Sequence, residues 1–154
     1  MYLTYSFMND EKQNESQPPL ILVVEDHDDS LLLLSYALEL IGCKFICQND
    51  SYSTVLVAQK YQPDLILLDI LLPSLNGLEV VQCLKSQPLT SHIPVVAVTA
   101  LAGKNQKQQI LRAGFDEYIS KPYMLEDLEA IIYRLLNKKL HSHLNLEMCQ
   151  EICN

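Results

Sequence analysis

Five short apolar runs recur along the chain, and each is continuous rather than alternating: Leu20-Ile21-Leu22-Val23-Val24, Phe45-Ile46-Cys47, Leu65-Ile66-Leu67-Leu68, Val95-Val96-Ala97-Val98 and Tyr118-Ile119-Ser120. A strand with one wet face alternates apolar and polar residues. A continuous run implies burial on both faces, the pattern of parallel strands covered by helices. The intervening stretches have helical periodicity. Ser30 to Ile41 is Leu-rich and stops at Gly42, Ser51 to Lys60 ends before Pro63, and Gly77 to Ser86 ends before Pro88. Asn105 to Ala113 stops at Gly114, and Leu125 to about Leu140 puts Leu128, Ile131, Ile132, Leu135 and Leu136 on one face. The order is (βα)₅. Right-handed crossovers place helices on both faces of the parallel sheet, and ligands of such sheets bind beyond the carboxyl ends of the strands. Chemistry is therefore expected just after each apolar run.

Composition narrows the function classes. At 154 residues and 49% apolar, the chain suits one domain with a true core and is too apolar to be disordered. Acids outnumber bases 19 to 11, giving a formal charge of -8 without a basic cluster, so no direct nucleic-acid partner is expected. No apolar run approaches the roughly 20 residues of a spanning helix, so no membrane association is expected. The N-terminus lacks the pattern of a secretory signal. Five cysteines (Cys43, Cys47, Cys83, Cys149, Cys153) form no dense framework, and three fall in expected core elements; reduced thiols in a cytoplasm fit this usage. The expected organisation is a polar, mobile leader over 1–18, with Met8 an alternative start to Met1, a folded domain over 19–140 and a tail over 141–154. There is no internal repeat.

Reading the strand ends gives a consistent set. Glu25 and Asp26 follow the first run, Asp69 the third, Thr99-Ala100 the fourth, and Lys121-Pro122 the fifth. Asp69 is the most informative, because a carboxylate closing so apolar a run is costly without a partner. Glu25 and Asp26 could belong to an acidic loop capping the first helix, but Asp28, Asp29 and Ser30 are better placed for that. Three carboxylates in one crevice repel one another, and a divalent cation resolves the repulsion; hard oxygen ligands favour Mg²⁺ over zinc or copper. Thr99 and Lys121 say little alone. An X-Pro bond can be cis at modest cost, which would aim Lys121 back into the site.

Together these residues resemble the receiver domain of two-component response regulators, over about residues 20 to 138. The resemblance rests on Val23-Val24-Glu25-Asp26, on the segment Asp69-Ile70-Leu71-Leu72-Pro73-Ser74-Leu75-Asn76-Gly77, on Val98-Thr99-Ala100, and on Tyr118-Ile119-Ser120-Lys121-Pro122. It implies a flavodoxin-like, doubly wound α/β fold with a five-stranded parallel sheet in the order 2-1-3-4-5. It also implies that Asp69 is the phosphoacceptor. Asp26 and Asp69 would be direct Mg²⁺ ligands, with the Leu71 carbonyl a further ligand and Glu25 acting through water. Thr99 would bind the phosphoryl group, Lys121 would pair with it, and Tyr118 would be the switch aromatic that follows Thr99. The partners implied are a sensor histidine kinase or a histidine phosphotransfer protein upstream and a protein docking on the helix 4–strand 5–helix 5 face downstream; a homodimer is compatible with this. The chain would catalyse only its own phosphorylation and slow self-dephosphorylation, and would otherwise not be an enzyme. Leu71 and Leu101, two residues after the phosphoacceptor and the threonine, would crowd out water and lengthen the life of the phosphorylated form.

Three other readings fit less well. A haloacid-dehalogenase-type phosphohydrolase has a second Asp where this chain has Leu71. A phosphorylation-independent pseudo-receiver should lack part of the acid, Asp, Thr and Lys set, and no member is missing. A flavin carrier should show a phosphate loop. In the tail, His141, His143, Cys149 and Cys153 match no trusted zinc spacing. Residues after about 140 are too few for an output domain, so a stand-alone receiver is expected.

Overall fold

The computed structural model describes residues 17–72, 75–100 and 103–136. The expected tail and nearly all of the expected leader lie outside the described residues. Along the chain alternate β1 (Leu20–Val24), α1 (Asp28–Ile41), β2 (Lys44–Gln48), α2 (Thr54–Tyr61), β3 (Leu65–Asp69), α3 (Gly77–Ser86), β4 (Val95–Thr99), α4 (Lys104–Ala113) and β5 (Glu117–Ser120), followed by helix α5 over residues 125–136. The strands form one parallel sheet in the order β2-β1-β3-β4-β5, as expected.

The two-residue period of each strand divides the apolar runs between two cores. Ile21, Val23, Leu65, Leu67, Val96 and Val98 face α1 and α5, where they meet Leu34, Leu38, Leu128 and Ile132. Leu22, Val24, Ile66, Leu68, Val95 and Ala97 face α2, α3 and α4, where they meet Ala58, Val80, Val81, Leu84 and Ile110. Full burial of each large aliphatic side chain contributes roughly 1.5–3 kcal/mol. The continuous runs are therefore the signature of a sheet covered on both sides.

Four expectations are corrected. Asp28, Asp29 and Ser30 do not cap α1. His27 occupies the cap position without a side-chain cap bond, and Asp28 and Asp29 sit in the first turn, where their charge favours the exposed N–H end of the helix. α2 begins at Thr54 rather than at Ser51. β2 is not buried on both faces: it is an edge strand, and Lys44 and Cys47 are exposed. Of the three cysteines expected in the core, only Cys43 is buried; Cys47 and Cys83 are exposed. The stop at Gly42 has a clear cause: φ is 86°, and the Gly42 and Cys43 N–H groups donate to the carbonyls of Glu39 and Leu38. Among the described residues no helix is long and apolar enough to cross a membrane.

Candidate functional site

The carboxyl ends of β1, β3, β4 and β5 are neighbours, so the residues that follow them share one rim. The backbone ladder continues a step beyond the strands: Glu25 N–H donates to the Gln48 carbonyl at 3.1 Å, and Lys121 N–H to the Thr99 carbonyl at 2.8 Å. These bonds fix where the side chains of Glu25 and Lys121 start. The Lys121–Pro122 peptide is cis.

Lys121 joins two of the carboxylates. Its Nζ donates to Glu25 Oε2 at 2.9 Å and to Asp69 Oδ2 at 3.3 Å. Glu25 is 1% exposed and Asp69 5%. The remaining oxygens are held by the main chain: His27 N–H donates to Glu25 Oε1 at 3.2 Å, and Leu71 N–H to Asp69 Oδ1 at 2.9 Å. Burial alone would depress the Lys121 ammonium, but the hydrogen bond it donates to Glu25 and the charges of Asp69 and Glu25 outweigh it, and its pKa lies above the ordinary lysine value. Thr99 closes β4 and is fully buried.

Asp26 stands apart from this network. Its Oδ1 is buried yet has no hydrogen-bond partner among the described residues. Such an atom is costly unless something else satisfies it. Two carboxylates share one ammonium and a third has an orphaned oxygen, so the rim has an excess of hard, anionic oxygen. That chemistry suits Mg²⁺ better than a softer metal. Glu25, Asp26 and His27 each bring a potential ligand atom within 4.8 Å of the others. The sequence expectation grouped Asp69, rather than His27, with the two acids.

Three contributors escaped sequence reasoning. His27 is one. Tyr123 is another: it is half-buried, and burial, then the charge of Glu25, push its hydroxyl up to about 12. Its signal was its place two residues after Lys121. The third is Gly77, where a Cβ would come within 2.7 Å of both the Asp69 carbonyl oxygen and Ile70 Cα. Gly77 N–H donates to the Ile70 carbonyl at 3.0 Å, and the Asn76 side chain caps α3 by accepting from Leu78 N–H. The absence of a side chain at Gly77 lets α3 start against the chain leaving β3, which holds Asp69 at the rim. The motif containing Gly77 was legible, but this close approach was not.

Tyr118 is half-buried on β5. The Leu71 side chain is 57% exposed. Leu101, its expected companion, lies outside the described residues.

The family model for the response regulator receiver domain matches residues 21–133. A polar-differentiation response regulator, DivK, from Brucella anthropi is 39% identical over 105 residues, which cover 68% of this chain and 85% of that protein. Among solved structures, the receiver domain of a sensor histidine kinase from Pseudomonas aeruginosa, with a magnesium ion coordinated in its active-site cleft, matches with a TM-score of 0.73 at 27% identity. The match covers 79% of this chain and 99% of that one. The signal receiver domain of a histidine kinase from Syntrophus aciditrophicus matches with a TM-score of 0.72 at 30% identity, covering 79% of this chain and 92% of that one. A parallel sheet in this order, carrying an acid pair, an aspartate, a threonine and a lysine on one rim, and a family match over residues 21–133 lead to one conclusion: the chain belongs to the response regulator receiver domain family.

Proposed function

We propose that the chain accepts a phosphoryl group on Asp69 from a phosphohistidine of a sensor histidine kinase or histidine phosphotransfer protein and signals by a change of shape that alters partner binding. One observation carries this reading: a buried aspartate at the end of β3 has one oxygen held by Leu71 N–H and the other facing the Lys121 ammonium.

The chemistry follows from those contacts. A carboxylate oxygen of Asp69 attacks phosphorus while the bond from phosphorus to the donor's histidine nitrogen breaks. The Leu71 N–H orients the carboxylate, and the Lys121 ammonium stabilises charge on the phosphoryl oxygens. A Mg²⁺ ion held by Asp26, Asp69 and the Leu71 carbonyl, with Glu25 behind a water molecule, would supply further charge neutralisation. The orphaned oxygen of Asp26 supports such a ligand. The Thr99 hydroxyl binds the phosphoryl group, and Tyr118 moves inward after it. The face built from α4, β5 and α5 changes as a result, and a downstream protein reads that change. A leucine at position 71 carries no polar group to orient water for hydrolysis, which slows loss of the phosphoryl group. Among the described residues Cys43, Cys47 and Cys83 form no disulfide with one another, which supports a reducing, cytoplasmic setting.

The test is intact mass after incubation with acetyl phosphate, with and without Mg²⁺. A single phosphoryl adduct is expected on the wild type with Mg²⁺, and none on Asp69→Asn, which is nearly isosteric but lacks the anionic nucleophile. A full adduct on Asp69→Asn would overturn the assignment.

A further inference from the structure

We infer that Lys107 of α4 is a positioning residue for Tyr118, holding its ring in a half-buried seat and thereby restraining the inward movement that accompanies phosphorylation. This rests on the reading of Tyr118 as the switch. The Lys107 Nζ lies 5.1 Å from the centroid of the Tyr118 ring, inside the range in which the ring face attracts a cation.

Among the described residues the ammonium has no carboxylate partner. α4 reads Lys-Asn-Gln-Lys-Gln-Gln-Ile-Leu-Arg-Ala and contains no acid, although the chain as a whole carries a charge of -8. The carboxylate next to Tyr118, that of Glu117, is engaged elsewhere: it pairs with Arg134 and accepts from Tyr118 N–H at 3.2 Å.

Both sides of the contact are anchored. Ile110, one turn after Lys107, is buried in the core against which Tyr118 also packs. Tyr118 is tied into the sheet opposite Ala97. The Lys107 side chain therefore starts from a fixed helix and the Tyr118 ring from a fixed strand, so the contact is made or lost by side-chain rotation alone. A ring that leaves its half-buried seat for a deeper one forfeits the attraction. At a partly exposed site this is worth about a two- to fivefold bias. A bias of that size on a minor state changes apparent ligand affinity by the same factor.

The experiment uses the full chain as wild type, Lys107→Met, which keeps the apolar stem, and Lys107→Arg, which keeps the cation. Each is titrated with beryllium fluoride, a tetrahedral stand-in for the phosphoryl group, in Mg²⁺ buffer. The readout is the ¹³C ring resonance of Tyr118, assigned by its loss in Tyr118→Phe. Lys107→Met is expected to bind about two to five times more tightly than wild type, with Lys107→Arg matching wild type. Equal affinity of Lys107→Met and wild type, weaker binding by Lys107→Met, or the same shift in both variants would overturn the role of the cation. If wild type binds beryllium fluoride and the Tyr118 resonance does not move, the switch itself fails. If wild type binds none at all, the phosphoacceptor reading fails first.

Discussion

Lys121 and Glu25, 96 positions apart in the chain, meet at 2.9 Å, and the carboxylate side of that pair is 1% exposed. Removing the ammonium leaves the buried Glu25 carboxylate beside Asp69 without its cation, with only the His27 N–H still donating to it. Lys121→Met should therefore destabilise the fold by about 1–3 kcal/mol, below the cost of breaking a fully buried pair because the lysine side chain is 24% exposed. Urea unfolding of Lys121→Met, Glu25→Gln and the double variant tests this. The double variant should recover part of the loss, and strictly additive costs would show that the pair is not coupled.

Asp26 should behave in the opposite way. Its orphaned oxygen contributes no hydrogen bond, so Asp26→Ala without metal should match or slightly exceed wild-type stability. Added Mg²⁺ should raise the Tm of the wild type and leave that of Asp26→Ala unchanged, because only a native state that binds the ion gains from it. An equal rise in both would place the cation elsewhere.

Gly77 and Gly42 test crowding against backbone conformation. An added Cβ at Gly77 meets main-chain atoms at 2.7 Å, whereas at Gly42 it meets nothing within 4 Å and only the φ of 86° is unfavourable. Gly42→Ala should cost about 1 kcal/mol. Gly77→Ala should cost about 1–3 kcal/mol and also slow phosphorylation by acetyl phosphate, because the clash falls on the backbone of Asp69 and Ile70. Chemical denaturation and the initial phosphorylation rate of each variant decide it. Unaltered phosphorylation in Gly77→Ala would remove this glycine from the site.

The thiol of Cys43 gives an alkaline signature. Burial, and then the charge of Asp64, raise its pKa from 9.0 to about 11. A folded-state pKa raised above the unfolded value means that the native state holds the proton longer. The stabilisation is full below pH 9.0 and is lost as pH rises toward about 11. Lys121, also raised, contributes in the same sense above the ordinary lysine value. Stability should fall by about 1–3 kcal/mol across that interval, with a shallower slope in Cys43→Ala. Identical slopes in the two proteins would assign the loss to other groups.

The sequence by itself determined the sheet. Runs such as Leu65 to Leu68 have no polar residue to turn toward water, which favours a strand covered on both faces, and their alternation with helical stretches gives the order of elements along the chain. It also determined which residues lie at strand ends, because each chemical residue directly follows an apolar run. Helix starts were less legible: Asp28 and Asp29 are good capping residues, but their charge is equally favourable inside the first turn, and local preference does not separate the two. Burial at β2 and at the cysteines was decided by position in the sheet. Cys47 lies in an apolar run like the others, yet an edge strand has one neighbour and incomplete cover.

Only the tertiary structure decided the partners. That Lys121 reaches both Glu25 and Asp69, that Leu71 N–H holds the other Asp69 oxygen, and that Gly77 must lack a side chain are relations across space. Hydrogen bonds and steric contact fall off within a few ångströms, and sequence spacing sets no such distance between residues on different strands. The chain's pattern dictates which side chains arrive at the rim; the packing of the sheet against its helices dictates which of them touch.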